Sequence, residues 1–62
     1  MSKAETRELN RLELYRAAGA DTGMIARSLS ALIRAARTNK SAADLRAVAD
    51  QWGVTRHPEF IA

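Results

Sequence analysis

A chain of 62 residues is one domain at most, and folding at this size hides only roughly 60% of the surface that the open chain exposes. Of its 29 apolar residues 13 are alanine, which leaves 16 larger side chains for a core, while the absence of cysteine and a single histidine exclude a disulfide framework and a histidine-cysteine metal site. The net charge of +3 is modest, so its placement matters more than its size. Small domains short of core usually recruit a staple or a second copy, and with the staples excluded the expectation is a homodimer with no metal and no cofactor.

The opening MSKAETRE carries charge from its third residue and has no apolar run, unlike a secretory signal. No stretch approaches the roughly 18 apolar residues of a membrane span, so a cytoplasmic protein without a membrane partner is expected. Ser2 followed by Glu5 matches a capping box and opens a first helix over about 3–18, closed by Gly19. Leu9, Leu12 and Tyr15 share one broad side of it. Leu14 points nearly opposite Leu9, which suits a helix with its own core on one side and another subunit on the other.

Asp21 or Thr22 caps a second helix, DTGMIARSLSALIRAAR, extending to about residue 37. At 100° per residue Ile25, Leu29, Leu32, Ile33 and Ala36 occupy one arc, extended by Met24, Ala31 and Ala35. Only Arg27, Ser30, Arg34 and Arg37 are left over as a polar stripe. This is the expected central helix, covered on more than one side. After a break at Thr38–Lys40, where Asn39 reads as a left-handed cap, a third helix spans about 42–52 with Ser41 at its start and Leu45, Val48, Ala49 and Trp52 at helical spacing. Gly53 ends it. The tail 53–62 holds Pro58 and is expected to be non-helical, with Phe60 and Ile61 packed on the helices. Short connections favour antiparallel neighbours, and the fold expected is all-α: one small three-helix domain, residues 1–62, with a short C-terminal tail.

Charge is distributed unevenly. Residues 1–21 balance Lys3, Arg7, Arg11 and Arg16 against Glu5, Glu8, Glu13 and Asp21, whereas 22–43 hold Arg27, Arg34, Arg37 and Lys40 with no acid at all. A row of guanidiniums free of carboxylates suits phosphate contacts along a nucleic acid. The candidate surface for nucleic acid or an acidic partner is therefore Arg27, Ser30, Arg34 and Arg37, flanked by Lys40 and Arg16. Leu14, Met24, Ala31 and Ala35 are the candidate protein interface.

Two segments resemble pieces of the helix-turn-helix pattern of DNA-binding proteins. In LYRAAGADTGMIARSL, Gly19 and Ile25 sit where the turn and a buried residue of the second helix belong, although Tyr15 stands where that motif prefers a small residue. The second is LRAVADQWGVTR, with Val48 and Ala49 before the turn Gly53-Val54-Thr55; only six residues follow Arg56, too few for a helix to cross a major groove. No nucleophile has an adjacent base and no phosphate-binding glycine loop occurs, so a non-enzymatic binding module is expected: a dimeric regulator on DNA or RNA, or alternatively a protein-binding adaptor or inhibitor.

Overall fold

The computed structural model describes residues 1–62 throughout. The chain forms three α-helices, α1 (Lys3–Ala17), α2 (Thr22–Arg34) and α3 (Asn39–Trp52), followed by a 3₁₀ turn over Val54–Arg56, a further turn in which Phe60 N donates to the His57 carbonyl at 2.9 Å, and a short irregular end. Short turns join them into antiparallel neighbours, and α2 lies in the middle. Both α1 and α3 pack on it, while their own backbones keep apart. No helix is long and apolar enough to cross a membrane.

Local chemistry explains each boundary. Ser2 Oγ accepts from Glu5 N at 3.1 Å and Ser2 N donates to Glu5 Oε1 at 2.7 Å, the reciprocal capping box at the start of α1. Asp21 caps α2 by accepting from Met24 N at 3.0 Å. Gly53 follows α3 at φ +74°, a left-handed conformation that closes a helix and that an L side chain would strain.

Two expected boundaries move. The second helix stops at Arg34, with Ala35 as its C-cap, so Ala36 and Arg37 belong to the turn. Thr38 begins the next helix by accepting from Ser41 N at 3.0 Å, and Asn39 is its first residue, not a left-handed cap of the helix before. The reason is a cap three residues earlier than Ser41: an extended threonine satisfies an end N–H sooner and leaves Ser41 Oγ free for another bond.

The core is small. Leu12, Ile25, Ala26, Leu29, Ala49 and Val54 form its contiguous centre, with Leu9, Met24, Leu32, Trp52 and Phe60 packed partly buried against it. Leu29 and Leu45 are fully enclosed. At roughly 1.5–3 kcal/mol for each large side chain, this handful of residues supplies most of the driving force. The tail completes the layer over α2 and α3. Phe60 packs inward, Ile61 N donates to Ser30 Oγ at 2.9 Å, and Arg46 Nη1 donates to the Ala62 carbonyl at 3.1 Å. Gly23 permits this closure, because a Cβ there would stand 2.9 Å from Asp21 Oδ2 and 3.4 Å from His57 Cε1. Ile61, expected to pack, instead stays exposed, since its backbone N–H reaches α2 while its side chain turns outward.

Candidate functional site: an open groove between two helices

The expected arginine stripe does not survive as one surface. Ser30, predicted to face water, is 1% exposed; its hydroxyl donates to the Ala26 carbonyl at 2.8 Å and accepts from the tail. Arg27 is met by Glu59 from the tail at 3.4 Å, with both side chains half exposed. Lys40 pairs with Asp44 at 3.2 Å. Arg37 lies beyond the helix, so it cannot continue a line that begins at Arg27. Arg16 is elsewhere altogether, stacked 5.1 Å from the Trp52 ring centroid at the opposite end of α2, where the two side chains join α1 to α3. Arg34 and Arg37 remain exposed and without a carboxylate at ion-pair distance.

The same rotation that buries Ser30 exposes alanine. Because the tail covers α2 along Gly23 and Ser30, the helix's open side runs through Arg27, Ala31, Arg34 and Ala35. Beside it lies a groove with a cavity volume of about 420 Å³. Helix α1 contributes Glu8, Arg11, Leu12 and Tyr15, one side of it two turns long; α2 contributes Met24, Ser28, Ala31, Leu32 and Ala35. Ser28 Oγ donates to Met24 Sδ at 3.6 Å, so the one hydroxyl of the floor is already engaged. Tyr15 remains 46% exposed at the edge. Three of the four residues expected at a protein interface, Met24, Ala31 and Ala35, thus meet along one groove. The fourth does not: Leu14, 71% exposed, points away from both core and groove on the outer side of α1.

One end of the molecule is organised by a side chain whose reach the sequence did not disclose. Glu5 is 6% exposed, and besides its capping box it accepts from Arg37 N at 3.0 Å (Oε2) and from Ser41 Oγ at 3.1 Å (Oε1). It therefore ties the start of α1 to the α2–α3 turn and to the first turn of α3. The backbone N–H groups of Ser2 and then Arg37, with the Ser41 hydroxyl, stabilise the carboxylate and lower its pKa from 4.5 to about 2, against the opposing effect of burial. Capping-box spacing revealed Ser2 and Glu5 as partners, but nothing in the spacing pointed to residues so far along the chain. Instead of belonging to a charge-balanced surface, as read from the sequence, Glu5 is an interior joint.

Neither segment with helix-turn-helix spacing presents a recognition helix. In the first, Ser30 is inside and Arg27 is paired; in the second, the chain after Gly53 makes a single 3₁₀ turn and then runs back over α2. A second, smaller cavity of about 160 Å³ lies between Arg16, Thr22, Ile25 and Trp52. No three His, Cys, Asp or Glu side chains gather where a metal ion would need them. Comparison of the chain with protein-family models, with curated proteins and with solved structures finds no match.

Proposed function

We propose that this protein is a non-enzymatic protein-binding module, an adaptor or inhibitor, that receives an apolar element of its partner in the α1–α2 groove. The carrying observation is that groove: a two-turn trough floored by the buried Leu12, with Tyr15, Met24 and Leu32 partly open beside Ala31 and Ala35. Helix-in-groove recognition uses this geometry, in which apolar anchors at helical spacing enter a hydrophobic slot. Ala31 and Ala35 on the α2 wall let an incoming backbone approach closely, while Tyr15 on the α1 wall and Met24 on α2 supply adaptable contact area. A homodimer remains within this reading, with a second copy as one candidate for the same groove.

The test uses a single substitution on the rim. Ala31→Glu places a charge in the trough without touching the core, so partner capture should be lost while the thermal melt is unchanged. If capture survives Ala31→Glu but disappears on nuclease treatment, the groove reading is wrong.

Association with DNA or RNA is the second reading, favoured by a specific feature: Arg34 and Arg37 stand exposed and unpaired near Lys40 at the α2–α3 corner. In that case binding should weaken steeply as salt is raised, and Arg34→Ala should lower affinity about equally for all sequences. A gel shift that is absent even at low salt, with mixed DNA and RNA, removes it.

A further inference from the structure

The groove is apolar along its floor, and exposed arginines lie on or beside both of its walls. On the α1 edge Arg11 lines it, and Arg7 lies one turn earlier with no carboxylate at ion-pair distance; on the α2 edge Arg34 and Arg27 adjoin Ala31 at helical spacing, with Arg37 just past the helix end. The acids near them are Glu8, 3.7 Å from Arg11 with both groups half exposed, Glu59, which reaches Arg27 from the tail, and Asp21, which caps α2 at Met24. Glu13 lies on the far side of α1, and Asp44 and Asp50 are on α3. Arg7, Arg11, Arg27, Arg34 and Arg37 thus outnumber Glu8, Asp21 and Glu59 around this trough.

We infer that the occupant is a single amphipathic helix of another protein, whose apolar stripe is about two turns long and is flanked on both sides by carboxylates. This rests on the protein-binding reading above and names its partner's chemistry. Glu8 to Tyr15 spans roughly 10 Å along α1, which matches anchors at i, i+3, i+4 and i+7 of an incoming helix. A second copy fits less well. A two-fold axis through the groove would set Arg11 and Arg34 of one copy against the same guanidiniums of the other, and each copy offers fewer acids, Glu8, Asp21 and Glu59, than arginines there. An acid-flanked helix instead meets Arg11 on one side and Arg34 on the other, in a charge arrangement that steers approach and fixes orientation.

The experiment uses the full chain and two synthetic helices of roughly 15 residues, both with leucine at i, i+3, i+4 and i+7, one flanked by glutamate and the other by lysine. Binding is read from backbone amide shifts and from fluorescence anisotropy of the labelled peptide. The glutamate-flanked helix should move the signals of Tyr15, Met24, Ala31 and Ala35 and bind at least ~10-fold more tightly than the lysine-flanked one. Arg34→Glu, at an exposed site where the fold is indifferent, should shrink or invert that preference while leaving the circular dichroism spectrum unchanged. Equal affinity for the two helices overturns the inference and leaves the groove reading standing. If the groove signals move with protein concentration alone, and the mass doubles, the occupant is a second copy and the inference again falls by itself. Silence of the groove toward both helices, in a chain whose Leu29 and Ile33 methyl signals are those of the folded state, overturns both; so does a DNA duplex that shifts Arg34 and Arg37 where neither helix does.

Discussion

The two flanks of α2 have the same kind of sequence and opposite fates. Toward α3 and the tail, Ile33, Ala26 and Ser30 are closed over, with every buried polar side-chain atom hydrogen-bonded. Toward α1, along the groove, Met24, Ser28, Ala31, Leu32 and Ala35 are at least partly open. Hydropathy alone inverts this assignment, because a serine is inside and two alanines are outside. What decides it is supply of neighbours: α3, the 3₁₀ turn and the tail all crowd one flank, whereas α1 alone serves the other. The sealed flank holds the fold together, and the open one is the surface on which the proposed partner would sit.

That contrast is sharpest for leucine truncation. Leu29→Ala, at a fully enclosed site, should cost about 2–5 kcal/mol and leave so small a domain largely unfolded. Leu32→Ala, on the groove, should cost less, about 1–2 kcal/mol, because Leu32 is only partly buried and its loss leaves a dent open to water instead of a closed cavity. Urea melts of the two variants that coincide would mean the groove is filled in solution.

Next in size is acid sensitivity at the Glu5 joint. Its folded pKa, about 2, lies below the ordinary 4.5, so the ionised form stabilises the fold; the contribution is complete above pH 4.5 and is lost as pH falls toward 2. Melting temperature should therefore drop across that window in the wild type, and Glu5→Gln should flatten the drop while lowering stability at neutral pH. Parallel pH profiles for the two proteins would show that the joint is not closed.

Ser30→Ala removes the bond that pins the tail and strands Ile61 N, at a cost of about 1 kcal/mol. Faster hydrogen exchange at the Ile61 amide is the specific readout; unchanged protection there means that Phe60, not Ser30, holds the tail. The smallest effect belongs to the half-exposed Arg27–Glu59 pair. Glu59→Gln should change stability by less than about 0.5 kcal/mol, and a larger loss in a thermal melt would show that the tail is held electrostatically.

Three helices, their order and most of their ends were legible from short-range rules: the Ser2–Glu5 box, the Asp21 cap, Gly53 after Trp52, and the apolar period through Ile25, Leu29 and Ile33. Such signals work because capping and helical periodicity involve residues within about one turn of each other. The site was legible only in fragments. Met24, Ala31 and Ala35 were read as extensions of an apolar arc and as a candidate interface, and they line the groove; Tyr15 and Leu12, which form the opposite wall, carried no mark of that position. The arginine stripe was a correct wheel on a helix taken three residues too long. It failed where the tail intervened, with Glu59 reaching Arg27 and Ile61 reaching Ser30. Local sequence determined which residues are helical and which face is apolar. Which side of that face meets water was decided only when segments some thirty residues apart came together, because burial and charge pairing depend on neighbours in space, and a helical wheel contains none.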